Sequence, residues 1–242
     1  MTRETTVSLI MGVCSPMKIL TDIDITYSQT GKIPCERTVM SIRNSQLSYT
    51  SSLTSETLRF REMRIVAKLI LAGKNDREIR GEVISENLFQ FKAGSSYTQK
   101  VLRRALQRLH ALETRELITA VAEASSESAK QICLYSMMLT NKVMMDFMLC
   151  VVAEKYRTFD RHFSGDAEKF LNRISQQSPQ QISWSALTIR AMAKSMRNAL
   201  CEAGILDRKT KTLQPILIPA VLRQTIIERG NRAILTAFND FE

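Results

Sequence analysis

The sequence predicts an all-α protein: a compact multi-helix domain with a helix-turn-helix-like N-terminal part. Three observations carry that prediction. From residue 55 onward, apolar residues recur at helical spacing in one segment after another, without sustained two-residue alternation. Residues suited to helix caps, such as Asn75, Asn141 and Ser185, precede these segments, and Gly73, Gly204 and Gly230 follow them. The 242 residues are 44% hydrophobic and 24% charged, the composition of a chain that builds its own core.

Residues 1–45 read differently from the body at 46–242. They show no helical period, are broken by Gly12, Pro16, Gly31 and Pro34, and carry a weak strand-like alternation at 19–25. The expectation is a poorly ordered extension, with a short strand or a partner-binding arm as alternatives. Met40, just before the periodic part, offers an alternative start that would leave 1–39 outside the protein.

The first helix is expected from an N-cap at Ser55 to Gly73, on Leu58, Ile65, Leu69 and Ala72. Asn75 with Glu78 forms a capping-box pattern for a second helix through about Ser85. The connector 86–95 holds Leu88, Phe89 and Phe91, so it should pack onto the body. Ser96 with Gln99 is a further capping-box pattern, opening a helix to about Leu112. Later helices are expected at about 115–124, 127–139, 142–157, 166–177, 185–203 and 219–229, with a last turn near 232–238. A short hairpin fits 205–218, and Trp184 is expected to anchor the start of its helix in the core.

Charge narrows the function. The 34 basic and 24 acidic residues leave a formal charge of +10, and residues 1–39 are neutral, so the whole excess lies in the helical body. Such an excess favours polyanionic partners. The helix from Tyr97 to Leu112 concentrates it. At 100° per residue, Lys100, Arg103, Arg104, Gln107 and Arg108 fall on one face, opposite Leu102, Ala105, Leu106 and Leu109. No acidic residue lies in that stretch to pair with these cations. A second stripe, Arg190, Lys194 and Arg197, lies on the helix after Trp184, with Arg208, Lys209 and Lys211 in the turn behind it. Arginine suits such a surface because its planar fork takes a phosphate or a guanine edge bidentately. The preceding short helix gives the order of a helix-turn-helix, although the connector is longer than the usual tight turn.

Other functions find little support. There is no GxxxxGK[ST] or GxGxxG string to cradle a phosphate. His110 and His162 read as surface or boundary histidines, and Asp207-Arg208-Lys209 has no strand pair to present it as a metal-dependent nuclease would. Five cysteines without a CxxC pair argue against a disulfide framework or a zinc site, and for a reducing compartment. Cys133 and Cys150 read as small buried hydrophobes. No secretory signal is evident, so a cytoplasmic protein is expected. The apolar stretch 132–153 carries Asn141, Lys142 and Asp146 and reads as two core helices meeting at Thr140-Asn141, not as a membrane span. Met137, Met138, Met144, Met145 and Met148 read as core filling, with an adaptable partner-binding surface as the alternative.

Four strings in order, YTSSLTSETLRFREMRIVAKLILAG at 49–73, ENLFQFKAGSS at 86–96, LYSMMLTNKVMMDFML at 134–149 and WSALTIRAMAKSMRNALCEAGIL at 184–206, resemble the BrxA family of BREX bacteriophage-exclusion systems. The likeness spans about 47–242. Chains of the family usually begin near the YTSSLT-like string, so the first 39 residues depart from its pattern. The resemblance implies a helical fold similar to the antitermination factor NusB, binding of double-stranded DNA, and a non-catalytic accessory role beside other BREX components. The residues themselves point to no cofactor, metal or small-molecule substrate. RNA binding and a protein-protein scaffold remain as alternatives.

Overall fold

The computed structural model describes residues 47–92, 94–177 and 182–241; the expectations for residues 1–45 fall outside them. The chain enters as a 3-10 turn, Ser51–Ser55, that buries Leu53, and then runs extended through Leu58, which is also fully buried. Helix α1 (Phe60–Leu71) starts only there. The expected N-cap at Ser55 is therefore displaced. Leu53 and Leu58 both enter the core, and a strap at 56–58 crosses helix α3, so this segment serves tertiary packing instead of extending the helix. Helix α1 ends as expected at Gly73, whose φ of +84° suits a residue without a Cβ.

Helix α2 (Asp76–Ser85) carries the predicted capping box. The Asn75 side chain accepts from the backbone of Arg77 (3.0 Å) and Glu78 (3.1 Å), and Glu78 accepts from the Asn75 amide at 2.8 Å. A cap of this kind contributes about 1 kcal/mol. The connector packs as expected: Phe89 is buried, its ring centroid 5.5 Å from that of Phe91, which lies 5.1 Å from that of Tyr97. Helix α3 (Ser95–Ala111) is capped by Gly94 and makes no side-chain capping bond, so the box read at Ser96 and Gln99 does not form.

Helices α4 (Arg115–Glu123) and α5 (Ser126–Thr140) follow, the latter buried on every side from Gln131 to Met138. At Asn141 the path bends by 115°, and the Asn141 side chain caps the next helix by accepting from the Met144 amide at 3.0 Å. The single helix expected at 142–157 is α6 (Lys142–Phe147), a wider-wound segment (Met148–Val152) and α7 (Ala153–Arg157). Among the described residues no single helix is long and apolar enough to cross a membrane. The five methionines of α5, α6 and the wound segment are wholly buried, so they form no partner-binding surface.

Helices α8 (Asp166–Gln177), α9 (Ala186–Glu202), α10 (Ala220–Glu228) and α11 (Ala233–Thr236) complete the body. Trp184 packs against the core just before α9, and the Ser185 hydroxyl caps that helix. The described residues contain no extended sheet. The hairpin expected at 205–218 reduces to an isolated bridge between Leu206 and Leu213, with a second between His162 and Thr212. Its turn is built on Asp207, whose Oδ1 accepts from the amides of Lys209 (2.8 Å) and Thr210 (2.7 Å) and the Thr210 hydroxyl (2.9 Å). Those bonds hold its carboxyl below the usual range and place the Asp207-Arg208-Lys209 string in a turn.

Candidate nucleic-acid interface

Helix α3 sits against α1, α2 and α5 through Val101, Leu102, Ala105, Leu106 and Leu109, all buried. Burying that stripe fixes which residues face out. Lys100, Arg103 and Gln107 are exposed, and neither Lys100 nor Arg103 makes an ion pair with a described residue. Arg104 stands at the edge, its Nη1 donating to Gln107 Oε1 at 3.2 Å and its Nε 3.2 Å from Glu56 Oε1.

Arg108 does not belong to this surface. Its side chain is 2% exposed; Nη1 donates to the carbonyls of Thr57 and Leu58, both at 3.0 Å, and Nη2 to Glu56 Oε2 at 2.7 Å. Burial lowers its pKa, and Glu56 opposes that shift by favouring the charged form. The expectation that Arg108 faces solvent is corrected for a physical reason. Position 108 lies at the margin of the apolar stripe, and the strap 56–58 covers that margin, bringing its own carboxylate. Glu56 is the residue that reading α3 alone could not find. It stands 48 positions before Arg104, and its neighbours looked like a helix start.

The basic excess is partly spent inside the fold. Arg64 donates to the carbonyls of Val121 and Ala124, closing the C-terminal end of α4, and Arg229 donates to the Leu112 carbonyl at the end of α3. On α9, Arg190 and Lys194 are exposed, whereas Arg197 donates to Glu168 of α8 at 2.8 Å. Lys209 and Lys211 are exposed in their turn, and Arg208 reaches Asn198 at 3.4 Å. Of the eight candidate contacts, Lys100, Arg103, Gln107, Arg190 and Lys194 stand open to solvent. Arg104 and Arg197 are shared with carboxylates, and Arg108 is internal.

His110 pairs with Asp76 at 2.9 Å on the surface, and no described hydroxyl or thiol hydrogen-bonds to it. Cys133 is fully buried, which pushes its thiol up to about 12. Cys150, read from the sequence as a small buried hydrophobe, is partly buried and packs against the core. Among the described residues no group of three or more His, Cys, Asp or Glu side chains is placed to hold a metal ion.

Residues 47–230 match the model of the BrxA family. The chain belongs to the BrxA family. Similar curated proteins are the BREX protein BrxA of Bacillus cereus (strain H3081.97), 34% identical over 66% of this chain and 80% of that one, and the BREX protein BrxA of Escherichia coli O9:H4 (strain HS), 28% identical over 78% and 87%. The fold of this BrxA-family chain is shared with a crystal structure of an uncharacterized protein from Magnetospirillum magneticum. The two superpose with a TM-score of 0.66 at 23% identity, over 78% of this chain and 97% of that one. The family match begins at Leu47, where the described residues begin.

Glu202, at the end of α9, borders the charge cluster that includes Arg108. Its carboxyl pKa is raised, first by burial; Glu62 adds to the shift, while Lys130, Arg59 and Arg108 oppose it. A carboxyl whose folded value lies above its unfolded one, about 4.3, binds its proton more tightly in the native state, so stability falls as pH rises through the window just above that value. Glu202→Gln is expected to remove that fall: its melting temperature should exceed wild type near pH 7 and converge with it near pH 4, followed by circular dichroism. A wild-type advantage at pH 7 would show that the carboxylate is stabilising.

Proposed function

We propose that this protein is a non-catalytic, double-stranded-DNA-binding accessory component of a bacterial BREX phage-exclusion system, acting in the cytoplasm beside other BREX components. Duplex DNA meets the exposed face of α3 through Lys100, Arg103 and Gln107, with Arg104 at its rim, and Arg190 and Lys194 of α9 form a second contact. The observation that carries this reading is the pair of exposed cations Lys100 and Arg103, which make no ion pair among the described residues. Other arginines of the chain, such as Arg64, Arg108 and Arg229, are engaged by carbonyls and carboxylates of the fold. Family membership supports the BREX setting. The order α2 then α3 supports a helix-turn-helix-like approach to a groove.

The test is fluorescence anisotropy with duplex DNA and hairpin RNA of equal length, titrated between 50 and 200 mM salt. Contacts of Lys100, Arg103, Arg190 and Lys194 with four phosphates give a logarithmic slope of about −3.6 on B-DNA, at −0.9 per phosphate. Duplex DNA should bind more tightly than the hairpin. A flat salt dependence would remove the electrostatic contact, and tighter hairpin binding would replace DNA by RNA.

A further inference from the structure

Beside the basic face of α3 lies a cleft of about 310 Å³, between the first described residues, the 3-10 turn, α3 and the elbow at Asn141. Ser48, Thr50, Ser52, Arg104, Asn141 and Lys142 line it. Its chemistry is dominated by donors. The Ser52 hydroxyl accepts from Thr50 Oγ1 at 3.1 Å and from Asn141 Nδ2 at 3.0 Å, so both of its lone pairs are used. Its own proton has no acceptor among the described residues. Arg104 Nε is shielded from solvent 3.2 Å from Glu56 Oε1, so Arg104 faces the cleft as a charge and not through that N–H.

Lys142 supplies a second cation, held 3.1 Å from Asp146 Oδ2 and over the Tyr49 ring at 4.9 Å. The carboxylates near the cleft are paired with cations: Glu56 with Arg104 and Arg108, and Asp146 through Oδ2 with Lys142 and the Tyr49 hydroxyl at 2.5 Å, while Asp146 Oδ1 is buried without a hydrogen-bond partner among the described residues. Arg104, Arg108 and Lys142 thus face two carboxylates, which leaves a positive excess. A concavity lined by two cations and by a hydroxyl proton without an acceptor among the described residues suits a tetrahedral oxyanion, whose oxygens accept hydrogen bonds in several directions.

We infer that this cleft binds a single phosphate group, with Arg104 and Lys142 supplying charge and Ser52 a directed hydrogen bond. The inference does not depend on the duplex contact proposed for α3. The phosphate could belong to a nucleic-acid strand or to a small phosphorylated molecule; the donor set is the same for both.

The test uses the full chain and inorganic phosphate, followed by the ³¹P line width at constant ionic strength in chloride buffer. Saturable broadening with a dissociation constant on the order of 1 mM is expected. Ser52→Ala and Lys142→Gln should each weaken it at least about tenfold. Ser52→Ala removes one oxygen from a partly exposed position, so it decides the matter if Lys142→Gln fails to fold. Absence of saturable broadening overturns the inference, as does broadening that survives both substitutions. Displacement of phosphate by duplex DNA would identify a nucleic-acid phosphate as the occupant. Undisturbed phosphate binding in the presence of bound duplex would identify a small phosphorylated molecule. Because duplex and phosphate are titrated separately on one chain, failure of the α3 contact and failure of the cleft are distinguishable.

Discussion

Arg108→Ala is expected to destabilise the protein by about 3–5 kcal/mol, because it leaves the Glu56 carboxylate and two strap carbonyls without their buried donor. For a chain of this size that loss lowers the melting temperature by roughly 10 °C or more. Thermal and urea unfolding followed by circular dichroism measure it. Arg108→Met combined with Glu56→Gln should recover part of the loss, since neither partner then buries an unpaired charge. A single Arg108→Ala variant melting within 2 °C of wild type would mean that the strap is not held as described. The same geometry warns against a tempting experiment. Changing Arg103, Arg104 and Arg108 together to glutamate would unfold the protein, so any loss of the proposed DNA binding would say nothing about the contact.

Lys100→Glu combined with Arg103→Glu asks the question cleanly. Both side chains are exposed and unpaired among the described residues, so each substitution should alter stability by no more than about 0.5 kcal/mol. The formal charge falls from +10 to +6. Two anions then face the phosphates where two cations stood, and duplex affinity near physiological salt should fall at least tenfold, with a shallower salt slope. The corresponding change of Arg190 and Lys194 should weaken binding less if α3 is the principal contact. Undiminished binding by the α3 variant, with its melting curve intact, would reject that helix as the interface.

Much of the fold was legible because helix boundaries are written locally. Asn75 with Glu78, Asn141, Ser185 and the glycines at 73, 204 and 230 each act within one turn of their own position, and the helices start or stop where those residues stand. The start of α1 was not legible, because Leu53 and Leu58 answer to a distant core and not to the local helical pattern. The candidate interface divides in the same way. A helical wheel places Lys100, Arg103 and Gln107 correctly, since they lie opposite the leucines. It misplaces Arg108 at the margin, where the answer depends on a chain segment about 50 residues earlier. Arg197 is misread likewise, because Glu168 on a neighbouring helix claims it. Charge counted along one helix overstates what reaches the surface whenever a partner arrives from elsewhere.

The burial of Cys133 makes the protein a reporter on its own breathing. The thiolate is the reactive form, and a thiol held near 12 inside the core is almost wholly protonated and sealed from reagents in the native state. Alkylation at that position therefore waits for an opening of α5 and the helices around it. The half-exposed Cys201 on α9 needs no such opening. The labelling rate at Cys133, resolved by peptide mass, thus measures how often the core opens, without an introduced cysteine.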